Sequence, residues 1–425
     1  MAATALFIGL LVLLLIGVPI AIALGLSSLA FTVLATDDSP VIIAQKLFDT
    51  MEHTTLLAIP FFILSAHFLT TGGVSQRLVD FAKALVGWMH GGLAMATVVA
   101  CMFFAAISGS SPATVVAIGS IMIPGMIKAG YDKRFAVGVV ATSGSIGILI
   151  PPSIPMIVYA DAVEESVGKI FIAGILPGIL MGSFLMLATW FTAKRMGMPR
   201  EPWRGWAHLG RAFVRAFWGL LLVVIVVGGI YGGVFTPTEA AAVAAVYSAF
   251  IALVVHKDMR IRDVPDVMLQ SAKMTSVLLF IIACAMIFAH VLTEEQIPQH
   301  LAQSVLSSQP SPWMFLLLVN VILWFAGDFM EPSAILLIMA PLFHPIAISL
   351  GIDPVHLGIV MTTNMEVGMI TPPVGLNLYV AAGLSGMSLG EVTKAALPWM
   401  FVLIAALLVI TYVPWISLAL VNALY

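Results

Sequence analysis

Long apolar runs separated by short polar or Gly/Pro-rich breaks recur along the whole chain. They lie at 3–35, 49–71, 91–107, 113–127, 135–160, 168–194, 216–234, 237–256, 268–293, 312–326, 333–350, 354–381 and 391–420. About 20 apolar residues make a helix long enough to cross the bilayer core. Four runs are shorter: 91–107, 113–127, 312–326 and 333–350. They pair around polar turns at 108–112 and 327–332, and the pattern predicts two re-entrant hairpins, 91–128 and 312–350, beside nine crossings. The turn Ser108-Gly109-Ser110-Ser111-Pro112 ends in a proline suited to a helix start. A break at membrane depth frees backbone groups that lipid cannot satisfy, so it persists only against protein or a cavity. Further breaks are expected at Ser143–Pro152 and Asn364–Pro373.

The breaks recur at a nearly constant offset of 217 to 223 residues. Ile121-Met-Ile-Pro124 matches Ile338-Met-Ala-Pro341, and Ala66-His-Phe-Leu-Thr70 matches Ala289-His-Val-Leu-Thr293. Thr142–Pro152 lines up with Thr363–Pro373, and more loosely Val18-Pro19 with Thr236-Pro237. Five crossings separate a residue from its partner, so the halves run oppositely through the membrane. Inverted repeats around a midplane site characterise secondary transporters. Two stretches, 75–86 and 297–306, are too polar to span and read as amphipathic helices in the interface.

Composition narrows the class. The 425 residues are 61% hydrophobic and 9% charged, against about 25% charged in soluble domains. The fold class expected is an all-α polytopic membrane protein. A net charge of −3 leaves no nucleic-acid footprint. Cys101 and Cys284 lie in apolar runs and read as buried hydrophobes. The run from Met1 lacks a basic leader region and is expected to stay as a membrane helix. With the N-terminus cytoplasmic, 16 of the 18 basic residues fall in cytoplasmic stretches, which fixes the orientation expected from the positive-inside bias.

The chemistry follows from the breaks. A half-helix ending at the midplane presents carbonyls suited to Na⁺, and one beginning there presents N–H groups suited to a carboxylate. The tip Ser108–Ser111 is expected to face Gly147–Pro151, and the tip Gly327-Asp328 to face Gly368–Thr371, with one Na⁺ at each pair. Asp328, Glu331 and Glu366 are carboxylates in apolar surroundings, hence candidates for function. Asp328 could instead cap the following half-helix, and Glu366 could carry a proton. Thr236-Pro-Thr-Glu239 has the pattern of a capping box, which is favoured over a carboxylate-binding loop. The substrate is expected between the two tips, near Ser111, Pro112, Ser153, Asp328, Glu331 and Asn377. No P-loop, metal-spacing cluster or nucleophile triad supports an enzyme or an ATP-driven pump.

The tracts Ile107–Gly119, Gly147-Ile-Leu-Ile-Pro-Pro-Ser153, Thr236-Pro-Thr-Glu-Ala-Ala241 and Thr371-Pro-Pro-Val-Gly-Leu-Asn-Leu378 resemble the large membrane subunit of tripartite ATP-independent periplasmic (TRAP) transporters. Gly327–Pro341 is most similar to the C4-dicarboxylate branch. The resemblance implies Na⁺-driven import of an organic acid across the bacterial inner membrane. It implies two partners, a small four-helix membrane subunit and a periplasmic binding protein, and no organic cofactor. It implies an elevator fold of the ion-transporter type within one membrane unit. The transport domain would comprise 91–194 and 312–425, the scaffold 1–71 and 210–293, and the arms 75–88 and 297–308. By motif match, Ser108, Ser110, Ser111, Gly147, Ile150 and Pro151 would supply one Na⁺ site. Gly327, Gly368, Thr371 and Val374 would supply the other. Competing readings are an importer of sialic acid or another carboxylate, a stand-alone proton-coupled carrier, and a channel.

Overall fold

The computed structural model describes residues 2–35, 41–328, 330–372 and 375–425. Every regular element among them is helical. The first half contains α1 (Ala2–Leu15), α2 (Ile20–Ala35), α3 (Val41–Glu52), α4 (Ala58–Thr71), α5 (Val74–Val86), α6 (Gly92–Ser108), α7 (Ser111–Lys128), α8 (Lys133–Ser145), α9 (Ile154–Ala162) and α10 (Val167–Arg195). The second contains α11 (Trp206–Tyr231), α12 (Pro237–Phe250), α13 (Val264–Glu294), α14 (Ile297–Ser307), α15 (Pro312–Gly327), α16 (Pro332–Ser349), α17 (Pro354–Gly368), α18 (Leu376–Ser385), α19 (Leu389–Tyr412) and α20 (Pro414–Leu424). Among the described residues, eight helical segments are long and apolar enough to cross a membrane.

Two of the apolar runs expected as single segments are each two helices. The run 3–35 is α1 and α2, separated by Gly17 at φ 84° and by Pro19, which has no N–H to continue a helix. The two helices fold back on each other, since a Cβ on Gly9 would lie 3.9 Å from that of Ser27. The repeat shows the reason. Val18-Pro19 corresponds to Thr236-Pro237, and α11 and α12 also pack together across a turn, there with Gly233 at φ 65°. The run 391–420 likewise splits at Pro414 into α19 and α20.

The halves interlock. Helix α2 packs on α13 while α12 packs on α4, an exchange between repeat equivalents. Close approach is permitted by Gly25, whose Cβ would sit 3.3 Å from Cys284 Sγ, and by a buried 2.7 Å hydrogen bond between the Ser65 and Ser248 hydroxyls. The same exchange pairs α9 with α16 and α18 with α7, then α8 with α19 and α17 with α10. Helices α6–α7 and α15–α16 each form a helix–turn–helix pair, and α8–α9 and α17–α18 are interrupted helices packed beside them.

The two polar stretches form α5 and α14. Helix α5 buries Val74, Leu78, Val79, Ala82 and Val86 along one side, against α6 and α11. Burying a Val or Leu side chain is worth roughly 1.5–3 kcal/mol relative to water. Gln76, Asp80 and Lys83 occupy the opposite side, so the alternation of apolar and polar residues places this helix at a surface rather than across a bilayer.

Candidate functional site

The first tip is built by helix-end chemistry. Helix α6 ends at Ser108, Gly109 takes the left-handed conformation at φ 59°, and Ser110 precedes α7 in an extended conformation, with Pro112 in the first turn. Ser108 and Thr114 join their hydroxyls at 3.0 Å, and Thr114 donates to the Ser110 carbonyl at 2.8 Å. This turn closes against the interruption between α8 and α9. A Cβ on Gly147 would lie 2.8 Å from Ser110 O, Ser111 Cα and Thr114 Oγ1 alike. Ser111 donates to the Ser145 carbonyl at 2.7 Å, and the Ile154 N–H to Gly109 O at 3.4 Å. The tip and Gly147–Pro151 are therefore brought together. Ile150 packs its side chain against α10 at Gly178, and Pro151 is buried in a cis Pro151–Pro152 bond. Ser153 is buried, donates to Ile148 O at 2.5 Å and caps α9.

The second tip uses different groups. Gly327 and Gly368 bring α15 and α17 into backbone contact, a Cβ on Gly368 falling 2.8 Å from Gly327 Cα. Thr371 donates to Val367 O at 2.7 Å and accepts from Trp324 Nε1 at 3.1 Å, which leaves its oxygen one free lone pair. Asn364 Nδ2 donates to both the backbone oxygen and Oδ1 of Asn320 at 2.9 Å, and Asn320 Nδ2 donates to Thr411 Oγ1 at 3.0 Å. Val374 lies outside the described residues. The cap of α16 is Glu331 rather than Asp328. Its carboxylate accepts from Ser333 N at 2.9 Å, Ser333 Oγ at 2.9 Å and Ala334 N at 3.3 Å. Asp328 ends α15 with a buried Oδ1 that has no partner among the described residues. Glu331 immediately precedes Pro332 at the helix start, which is where a capping acceptor must sit.

Both tips line one cavity of about 520 Å³. Ser111 and Pro112 come from the first, Glu331 and Pro332 from the second, and Met369 and Leu376 from the second interruption. Helix α13 adds Gln270 and Lys273. Lys273 is the only cation on the described wall, which also carries the start of α7, a helix end that favours anions. Ser153, Asp328 and Asn377 are buried behind this wall rather than on it.

Several groups at the site are not among those that the sequence singles out. Thr114 follows Ser110 by one helical turn and shares its carbonyl, a spacing visible in the chain. Asn320 and Trp324 lie in an apolar run, and only packing against α17, the interruption after it and α19 shows their partners. Lys273 falls within the run 268–293, and α13, which starts at Val264, carries it more than two turns inside the helix, where packing puts it on the cavity wall.

Glu366 is fully buried, and neither carboxylate oxygen has a partner among the described residues. Gly358, Thr362 and Glu366 are spaced to share a face of α17. Gly358 meets the Tyr159 ring of α9, so this face turns toward the first half, and the Thr362 hydroxyl there is also buried without a described partner. An ionised carboxylate in such surroundings costs several kcal/mol unless a cation or proton joins it.

Outside the cavity, Thr236 and Glu239 form the capping box of α12, with Glu239 accepting from Thr236 N at 2.8 Å. His67 is hydrogen-bonded to Ser271 at 2.9 Å, a packed histidine on α4.

Comparison with known proteins fits this geometry. A large permease protein of a C4-dicarboxylate TRAP transporter from Pseudomonas aeruginosa is 59% identical over 403 residues, covering 94% of each chain. A protein of the same description from Vibrio cholerae is 54% identical, covering 98% of this chain and 97% of its own. The crystal structure of the Alcanivorax borkumensis YdaH transporter has a similar fold, with TM-score 0.63 at 17% identity over 91% of this chain and 90% of that one. Residues 7–416 match the profile described as "Tripartite ATP-independent periplasmic transporter, DctM component". The interrupted helices and paired tips are thus those of a transport protein and not an enzyme, and the chain belongs to the DctM component family of TRAP transporters, as a large, multi-pass inner-membrane subunit.

Proposed function

We propose that this chain is the membrane carrier of a Na⁺-coupled importer of organic acids, with C4-dicarboxylates as the substrate class. The observation that carries the reading is the shared cavity. Each tip is closed against an interrupted helix of its own half, while both tips and Lys273 line one space of about 520 Å³. One Na⁺ would sit among the Ser108, Ser110, Thr114 and Gly147 oxygens, and a second among those of Gly327, Gly368 and Thr371. A carboxylate would bridge the α7 N-terminus and Lys273. The two tips would act as re-entrant hairpins from opposite sides, moving as an elevator against a scaffold that includes α2, α4, α12 and α13. The relatives named for C4-dicarboxylates support the substrate class, and the family's tripartite description supports a small membrane subunit and a periplasmic binding protein as partners.

Counting α1 and α2 as separate crossings keeps every basic loop from residue 72 onward on the cytoplasmic side. It moves the start of α1 to the periplasmic side. It also makes the repeat offset five crossings for α1 and α11 as for the other pairs.

The test is uptake of labelled succinate into vesicles holding this chain with a small TRAP membrane subunit and a periplasmic binding protein. Uptake should require both a Na⁺ gradient and the binding protein; uptake independent of both overturns the reading. The buried Glu366 favours one alternative, proton coupling, for which a pH gradient alone would drive equal uptake.

A further inference from the structure

A second cavity, of about 500 Å³, lies away from the transport site, where α5, the 196–205 loop and the start of α11 meet. The loop is pinned to the end of α5 by a hydrogen bond from Glu201 N to Gly87 O at 3.1 Å. Lys83 from α5 and Arg211 and Arg215 from α11 line it, with Arg204 and His208. Its acidic groups are Asp80 and Glu201. Arg204 pairs with Glu201 at 3.3 Å, and Asp80 accepts from Gln76 at 3.1 Å. Arg211 spends its Nε on the Ala207 carbonyl at 3.3 Å. Lys83, Arg211 and Arg215 have no ion pair among the described residues.

Three tryptophans stand beside these cations. Trp88 and Trp203 line the cavity, with ring centres 6.1 Å apart, and Trp206 meets Trp203 at 5.5 Å, each pair edge to face. Trp206 is 78% exposed. The level is that of the membrane surface, because α10 ends here on Lys194-Arg195 and α11 begins here, both long apolar helices. Tryptophan with Lys and Arg at helix ends marks the headgroup zone. Within two turns of Arg211, α11 exposes Phe213, Val214 and Phe217, a strip an acyl chain can cover. A soluble anion or an acidic protein would use the cations and leave this strip bare.

We propose that this cavity binds the phosphodiester headgroup of an anionic phospholipid, bracing α5 against α11. The lipid phosphate sits between Lys83, Arg211 and Arg215, and its chains run down α11 past the tryptophans. Basic pockets at the cytoplasmic membrane face recognise such headgroups.

The test uses the full chain in mixed micelles, read by native mass spectrometry and by tryptophan quenching with acyl-brominated lipids. Phosphatidylglycerol should be retained about tenfold over phosphatidylcholine of the same chains. The variant K83Q/R211Q/R215Q should lose that preference, and the charge-keeping K83R/R211K/R215K should retain it, which separates charge loss from misfolding. Brominated phosphatidylglycerol should quench the wild type more than brominated phosphatidylcholine, and less so after W88F/W203F/W206F. Equal retention of the two lipids, or an unchanged preference in the glutamine variant, overturns the proposal. Displacement of phosphatidylglycerol by inorganic phosphate would assign the site to a soluble anion instead. Loss of quenching when the small subunit is co-purified would assign the surface to that protein.

Discussion

Gly327 and Gly368 touch backbone to backbone, a Cβ on Gly368 falling 2.8 Å from Gly327 Cα and one on Gly327 falling 3.0 Å from Gly368 Cα. No side chain can enter this contact without separating α15 from α17. Overpacking of this kind costs about 1–3 kcal/mol. Gly368→Ala is expected to lower transport severely while leaving the protein in the membrane. The Gly383→Ala control, where a Cβ meets nothing within 4 Å, should leave uptake at the wild-type level. Initial uptake rates normalised to protein in vesicles check both, and equal rates for the two variants would refute the contact's importance.

The hydroxyls around the first tip form a short chain from Ser108 through Thr114 to the Ser110 carbonyl. Ser108→Ala or Thr114→Val removes one oxygen near Gly147 while nearly keeping volume. One lost ligand of hydrogen-bond strength, about 1 kcal/mol, corresponds to a rise of about fivefold in the Na⁺ concentration for half-maximal uptake. Thr371→Val should do the same at the second tip and should also release the Trp324 N–H. Na⁺ titrations that superimpose on the wild type for all three variants would contradict both ion placements.

Lys273 is the one cation that the described cavity wall offers to a substrate. Lys273→Met keeps most of the stem and deletes the charge. It is expected to raise KM for succinate by about tenfold or more, since a charge-assisted hydrogen bond is worth about 1.5–3 kcal/mol. Lys273→Arg should recover part of the affinity. An unchanged KM in the methionine variant would place the carboxylate elsewhere.

Two capping boxes tie down the starts of α12 and α19. Thr236 N–H and hydroxyl donate to Glu239, and Ser388 N–H and hydroxyl donate to Glu391. Each carboxylate thereby satisfies a backbone donor at a helix start. The double variant E239A/E391A should therefore unfold at a lower temperature in detergent than the wild type. Coincident melting curves for the two proteins would exclude this contribution.

The tip-to-interruption pairing at Gly147 was legible in the chain because glycine, serine and proline at membrane depth leave few alternatives. The capping box at Thr236 was legible because its spacing is local. Lys273 lies inside the run 268–293, but its place on the cavity wall was not legible, because it depends on how α13 packs against α16. Asn320, Trp324 and Thr411 were not legible because their partners lie on other helices. The α1–α2 turn was missed because Gly17-Val18-Pro19 interrupts the run 3–35 without any polar gap, and only its counterpart at Thr236-Pro237 gives it away.

That counterpart also sets a test of topology. If the halves are inverted, the α1–α2 turn and the α11–α12 turn lie on opposite membrane faces. In a background with Cys101→Ala and Cys284→Ala, Ile16→Cys and Val234→Cys place exposed thiols in or beside the two turns, both native side chains being exposed. A membrane-impermeant maleimide should label the Ile16 variant only from the cytoplasmic side, together with Lys128→Cys, and the Val234 variant only from the periplasmic side. A single crossing over 3–35 would bury residue 16 at mid-membrane and leave it unlabelled from either side. Labelling of both turns from one face would break the inverted repeat itself.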